Sequence, residues 1–301
     1  MKVSVIGLGH VGSAVAYTLL SRSVASELML VSGRLSRAEG EAADLTHANA
    51  LLGTPTEVVA GEAADTAGSG LIVLCHSVPT QRAGRYLLAE GNGRLFRDTL
   101  PLLAEQSPNA IFLVVSNPVD ALSYVALRAT GFPPERVFGA GTVIDSGRFR
   151  AALSEEEGVH PEDVRAYVLG EHGDTQFAAL SLARTGGVPL ANPARAAEIF
   201  EEVKDAAYYV FQRKGYTNYA IAAAVGMIAG SIAQDECRTM PVSVLINGYL
   251  GVSGVCLSLP CVVGRGGVHR VLHPELTPSE ADSFRASAQV VRTHIEQALA
   301  D

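Results

Sequence analysis

Apolar positions in the first half of the chain fall into two alternating textures. Short β-branched or leucine-rich runs occur at 2–7 (KVSVIG), Leu28–Val31, Leu71–Cys75 and Ala110–Val115. Between them the apolar residues recur at helical spacing, through Leu20 and again from about Leu35 to Leu45. This rhythm predicts a parallel sheet covered by helices on both faces. From about Thr142 the texture changes. A polar helix through Glu157 is followed by a strand-like segment, Val164–Leu169, and two long helical patterns, Pro193–Arg213 and Asn218–Gln234. Strands are expected at Val242–Asn247, Val255–Pro260 and Val262–Val263, and an amphipathic helix from about Pro278. The fold class read from this is α/β: a doubly wound parallel sheet over residues 1–141, then a mixed α+β part over 142–301.

Composition narrows the classes. With 301 residues, 48% of them hydrophobic and 18% charged, the chain can bury a large core and does not read as disordered. A formal net charge of −8 disfavours nucleic-acid binding. Lys2 leads into an apolar run that ends at once in glycines, unlike an export signal. The apolar stretch Tyr219–Ile232 falls short of the ~20 residues a membrane span needs. Cys75, Cys237, Cys256 and Cys261 lack CxxC spacing and are expected as buried free thiols in a reducing cytoplasm. The expectation is a cytoplasmic protein with neither nucleic-acid nor membrane partners.

Gly7, Gly9 and Gly12 follow the first strand directly and open a helix, the context a dinucleotide-binding turn requires. The first glycine permits the tight turn, the second lets backbone approach a pyrophosphate, and the third lets helix and strand pack closely. The first part is therefore expected as a Rossmann-type dinucleotide-binding domain; the alternative is a glycine-rich turn without a ligand. The acidic residue that normally holds the ribose hydroxyls of NAD is replaced here by Ser32, followed by Gly33 and Arg34. Serine can hydrogen-bond a 2′-phosphate and arginine can pair with it, with Arg37 one turn later. NADP is the expected cofactor. NAD, bound without its usual anchor while Arg34 is merely solvated, is the alternative.

His172, in Gly170-Glu171-His172-Gly173-Asp174, can move a proton near neutral pH. Asp145 is the carboxylate expected to fix its tautomer. Arg148, three residues on, presents a planar guanidinium suited to a substrate carboxylate. A loop histidine and a simple intrahelical Asp–Arg pair are the bland alternatives. Asn117 ends a strand where such sheets place ligands; it is read as touching nicotinamide or substrate, or as capping the next helix.

Taken together, GLGHVG (7–12), AEGEAADLTH (38–47), PNAIFLVVSNPVD (108–120), GAGTVIDSGRFR (139–150), GEHGD (170–174), KGYTNYAIA (214–222) and LSLPCVVGRGG (257–267) resemble the lactate/malate dehydrogenase family from end to end. The resemblance implies His172 as acid/base with Asp145 as its partner, Arg148 on the substrate carboxylate, Asn117 by the nicotinamide, and Thr217 in the substrate pocket. It also implies two domains (residues 142–301 as the substrate/catalytic domain), dimer or tetramer assembly, and a loop that closes over substrate. In that loop the chain departs from the pattern. Counting back from Phe96-Arg97-Asp98 puts Arg85 on the arginine that polarises the carbonyl. It puts Pro79 where lactate enzymes carry glutamine and malate enzymes arginine. Arg82 is the substitute cation if a second carboxylate must be held; otherwise the pocket should favour a small or apolar R group. His76 and Ser77 replace a glycine and an alanine beside the cofactor, so His76 is expected either to crowd the pyrophosphate route or to help bind an extra phosphate.

The expected function is hydride transfer between a nicotinamide cofactor, NADP(H) over NAD(H), and C2 of a 2-oxo/2-hydroxy acid. Alternatives are a malate- or lactate-type NAD dehydrogenase, reduction of a 2-imino or unusual 2-oxo acid, and a low-activity dinucleotide-binding homologue. No metal site is expected: His269 and His273 are four apart, but Pro274 and nearby glycines argue for a solvated turn.

Overall fold

In a computed structural model, which describes residues 1–79 and 85–300, the first half alternates strand and helix. The order is β1 (Lys2–Ile6), α1 (His10–Ser21), β2 (Glu27–Val31), α2 (Leu35–Leu52), β3 (Glu57–Gly61), β4 (Leu71–Leu74), α3 (Arg85–Gln106), β5 (Ile111–Val114), α4 (Val119–Thr130) and β6 (Val137–Gly139). These strands pair in parallel, in the order β6-β5-β4-β1-β2-β3. Strand order reverses between β1 and β4, where a sheet of this kind opens a crevice beyond its carboxyl ends. β4 and β5 are buried along their whole length, which is why they read as continuous apolar runs rather than alternating ones. Alternate residues serve opposite faces. Val3, Val5, Leu28 and Leu30 join one apolar cluster, and Ile6, Met29, Val31 and Leu74 the other.

The second half runs α5 (Val143–Glu157), β7 (Val164–Arg165), β8 (Val168–Leu169), β9 (Phe177–Ala178), β10 (Arg184–Thr185), β11 (Val188–Pro189), α6 (Pro193–Lys204), α7 (Ala206–Lys214), α8 (Tyr219–Gln234), β12 (Arg238–Asn247), β13 (Ser253–Gly264), β14 (Gly267–Val271) and α9 (Pro278–Leu299). Antiparallel β12, β13 and β14 extend the first sheet through Ser243 opposite Gly139, making nine strands in one sheet. α8 packs on α1 closely enough that a β-carbon on Gly226 would sit 2.7 Å from Thr18 Cγ2. α9 starts in a capping box: Thr277 Oγ1 accepts from Glu280 N, and the Glu280 carboxylate accepts from Thr277 N. No helix among the described residues is long and apolar enough to cross a membrane.

Several elements differ from the sequence expectation. β3 and β6 were not expected: β3 is a half-buried edge strand and β6 has three residues, so neither leaves a long apolar run. Val164–Leu169 is two strands, β7 pairing with β10 and β8 with β9, because the chain crosses between two small sheets. The long pattern Pro193–Arg213 breaks at Asp205 into α6 and α7. Val255–Pro260 and Val262–Val263 are one strand, since Cys261 pairs in register with Met240. Cys256 and Cys261 are buried free thiols and Cys75 is partly buried, but Cys237 is exposed.

Candidate functional site

The glycine turn between β1 and α1 has the shape its sequence implies. Gly7 stands at φ +94°, and a β-carbon there would strike the main chain of His76. One on Gly12 would strike the Gly7 carbonyl, so only glycine lets α1 sit against β1. Gly9 faces open space and no side chain caps α1, leaving its first amides available to an anion. This open cradle at a helix N-terminus fits a dinucleotide pyrophosphate. Beyond β2, Ser32 is partly buried, while Gly33 and Arg34 are exposed at the start of α2. Arg37 does not join them. Its Nε donates to Leu8 O at 2.6 Å and its guanidinium lies 3.6 Å from Glu41, which itself accepts from Ser13 Oγ.

His172 is held from three directions. The turn that carries it begins at Gly170, φ +86°, whose missing side chain leaves room for Ser287 of α9 and whose amide and carbonyl bond to Ser258 of β13. The start of α5 is tied to β8, which leads into that turn: Thr142 Oγ1 donates to Val168 O at 2.5 Å, and Ser146 Oγ accepts from Val168 N at 2.9 Å. Asp145 therefore meets the imidazole, Oδ2 to Nδ1 at 2.6 Å. Its other oxygen accepts from Arg148 Nη1 at 3.1 Å, so the intrahelical pair and the Asp–His pair coexist on one carboxylate. From the opposite side Asp120, in the first turn of α4, accepts from His172 N at 2.7 Å and from Ser243 Oγ at 2.5 Å.

The electrostatics follow from these contacts. Burial alone would lower the pKa of His172, but the charge and hydrogen bond of Asp145, aided by Asp120, outweigh it and hold the imidazole above its ordinary range. Burial would raise Asp145, yet His172 and Arg148 together hold it below the carboxylate range. Asp120 is pushed up to about 6 by burial, against the pull of Ser243 and His172. The imidazole keeps 26% of its side chain exposed toward the cleft, so a proton can be exchanged there.

The open side of His172 lines a cavity of about 220 Å³ with Asn117, Asp145, Lys204, Asp205 and His294. That volume suits a small organic acid. Lys204 and Asp205 reach it because the helix breaks between α6 and α7, a contribution the sequence reading did not anticipate. Arg148 touches the cavity through Asp145 rather than lining it. Thr217, expected in the substrate pocket, does not line this cavity; it lies between α7 and α8, next to Tyr216, whose ring stacks on His10 at 3.8 Å.

Asn117 is exposed at the end of β5, and its Oδ1 accepts weakly from Val119 N at 3.3 Å, a partial cap on α4. Its carbonyl accepts from the buried Asn92 Nδ2 at 2.7 Å, while Asn92 Oδ1 accepts from Val78 N at 2.8 Å. Asn92 thus ties the root of the expected loop to the strand end. The His76 side chain is engaged by α3. Its ring stacks on Phe96 at 4.8 Å, its Nε2 meets Thr99 Oγ1, and burial takes its pKa down to about 4. Pro79 is exposed. Arg82 lies outside the described residues, and Arg85 is the first residue of α3. Asn92 lies in no quoted motif, while Asp120 and Glu171, the latter buried with Thr175 and His294 as its polar neighbours, lie within family-like segments that assigned them no role of their own.

The profile of the lactate/malate dehydrogenase NAD-binding domain matches residues 1–139, and that of the family's alpha/beta C-terminal domain matches 142–301. The chain belongs to the lactate/malate dehydrogenase family. Among similar family members, the L-lactate dehydrogenase of Synechococcus sp. (strain JA-3-3Ab) is 42% identical, over 98% of this chain and 99% of that protein. That of Gloeobacter violaceus is 39% identical over 98% of this chain and 93% of its own. That of Thermoanaerobacter pseudethanolicus is 38% identical over 98% of each. For a lactate/malate dehydrogenase family member, the nine-stranded sheet and the crevice at the β1–β4 switch are the elements that set the glycine turn and the His172 cavity.

Proposed function

We propose that the chain is an oxidoreductase moving a hydride between a nicotinamide cofactor and C2 of a 2-oxo/2-hydroxy acid. The observation that carries this reading is the His172–Asp145 pair at 2.6 Å on the wall of a small cavity. Gly7, Gly9 and Gly12 would hold the pyrophosphate of a dinucleotide and Asn117 would lie beside its nicotinamide, which would supply the hydride for C2. In reduction, His172 gives its exposed ring proton to the carbonyl oxygen and keeps the Nδ1 proton on Asp145. The carboxylate stabilises the imidazolium before transfer and holds the tautomer after it. Arg148 holds the substrate carboxylate through the guanidinium nitrogens that Asp145 leaves open. Arg85 is assigned to polarising the carbonyl, and Arg82 to the far end of the substrate.

The cofactor reading favours NADP(H), supported by Ser32, Gly33 and Arg34 where an acidic anchor would exclude a 2′-phosphate. Pro79 offers no charge or donor, which supports a 2-oxo acid with a small or apolar side chain. The similar proteins named as L-lactate dehydrogenases support the same end of the substrate range. Assembly as a homodimer or homotetramer belongs to this reading. The deciding experiment is steady-state turnover with NADPH and NADH across pyruvate, oxaloacetate and larger 2-oxo acids. Turnover favouring NADPH and an uncharged R group is expected. NADH preference would overturn the cofactor reading, and binding without turnover on any acid would overturn the reaction.

A further inference from the structure

Away from the glycine turn and the His172 cavity, three metal-ligating side chains converge at the end of α8. Asp235 is the left-handed residue that stops that helix, Cys237 leads into β12, and His269 projects from β14. Their ligand atoms all lie within 4.8 Å of one another, and all three residues are exposed. Cys237 Sγ is 3.8 Å from His269 Nδ1 and 4.0 Å from Asp235 Oδ1. We propose that Asp235, Cys237 and His269 form a binding site for a zinc-like divalent cation, with water in the fourth position.

The distances support it. Metal–ligand lengths of ~2.3 Å to sulfur and ~2.0 Å to nitrogen or oxygen place tetrahedral neighbours roughly 3.5 Å apart. The two separations to sulfur need to close by only a few tenths of an ångström, and the third pair already lies within 4.8 Å. A thiolate with an imidazole selects a borderline-soft ion over magnesium or calcium. The surroundings hold the donors in place. Asp235 Oδ1 accepts from Arg265 N at 2.8 Å, and Ser231 Oγ accepts from Arg238 N while donating to Val263 O. A β-carbon on Gly264 would stand 2.7 Å from both Asp235 Oδ1 and His269 Cε1, so glycine is what lets the carboxylate and the imidazole share this space. Cys237 sits at φ +52°, a conformation a β-substituted residue rarely adopts, and it turns the sulfur toward His269.

Coordination through Nδ1 leaves the ring proton on Nε2. The long 3.3 Å bond that Nε2 accepts from Gly266 N is then exchanged for water, which the exposed ring can reach. The thiol proton leaves to solvent as the metal–sulfur bond forms. The ion would pin the end of α8 to the β13–β14 hairpin. The proposal departs from the sequence expectation of no metal site, which weighed His269 only with His273; His269 lies on a strand beside a cysteine 32 positions earlier.

The test is titration of the chelator-stripped, full-length protein with zinc chloride by calorimetry, on wild type, Cys237→Ser and His269→Gln. One ion per chain is expected in the wild type. Each substitution should weaken binding by more than the ~10-fold that losing an outer-shell partner costs. Cobalt chloride, used as a spectroscopic probe, should give a thiolate charge-transfer band that Cys237→Ser abolishes and His269→Gln perturbs. Absence of stoichiometric binding, or binding and band unchanged in both variants, would overturn the proposal. Reductase turnover should be the same in all three proteins, which separates this site from the hydride chemistry.

Discussion

Asp145 divides its two oxygens between an imidazole and a guanidinium, and the consequences can be measured one residue at a time. Asparagine at this position would keep the shape and remove the charge that raises His172. The alkaline limb of kcat/KM for reduction should then move to lower pH, because the imidazolium is no longer held; an unmoved limb would contradict the assignment. His172→Ala should lower turnover by at least about 100-fold, the usual scale of general acid–base catalysis. Stability carries the same signature. The raised His172 pKa contributes fully below its ordinary 6.5 and fades as pH climbs through the folded value. Asp145 contributes above its ordinary 3.8 and loses that contribution as pH falls through its depressed value. Stability from the pair is therefore fullest between those two ordinary values, which urea unfolding across pH will check. Asp120 acts by a different route. Asp120→Ala leaves a main-chain amide and a buried hydroxyl without an acceptor, and should cost about 1–3 kcal/mol per group, read as a lower urea midpoint.

At the scale of elements, the junction of β2 and α2 is where the proposed cofactor choice is tested. Ser32→Asp would set a negative charge against a 2′-phosphate, a repulsion of about 1–4 kcal/mol at close range. The NADPH/NADH ratio of kcat/KM should fall by roughly 10-fold or more, and an unchanged ratio would remove Ser32 from the argument. Elements with two covered faces were the legible ones: Leu28–Val31 of β2, β4 and β5 announce themselves as unbroken apolar runs, and β1 as a β-branched run around Ser4. β3 and β6 did not, being an edge strand and a three-residue strand whose existence depends on neighbours. The break at Asp205 was hidden because helical periodicity continues across it, although it brings Lys204 and Asp205 to the cavity. In the site, His172, Asp145 and Arg148 could be read from local spacing. Asp120, Asn92 and the pair Cys237–His269 could not, since each works through a residue that only the folded sheet brings near.

For the whole molecule, the decisive fact is that β6 passes its edge to β12, so both halves hang on one nine-stranded sheet. α3 and the end of α9 are joined as well: the Arg97 guanidinium donates to the carbonyls of Ala298 and Ala300. A single calorimetric unfolding transition is expected. A dinucleotide at 100 times its dissociation constant should stabilise that one transition by about 2.7 kcal/mol, rather than lift part of the molecule away from the rest. Two separated transitions would show that the sheet does not transmit the coupling.

The Asp120 contact has a further consequence for recombination. The main chain of His172 rests on a carboxylate from the first half, and that carboxylate is braced by a serine of β12. A hybrid that splices the first half of one relative to the second half of another inherits this triangle from two parents. Matched parents should yield working hybrids, whereas a mismatch at position 120 or 243 should leave a folded protein whose histidine is misplaced.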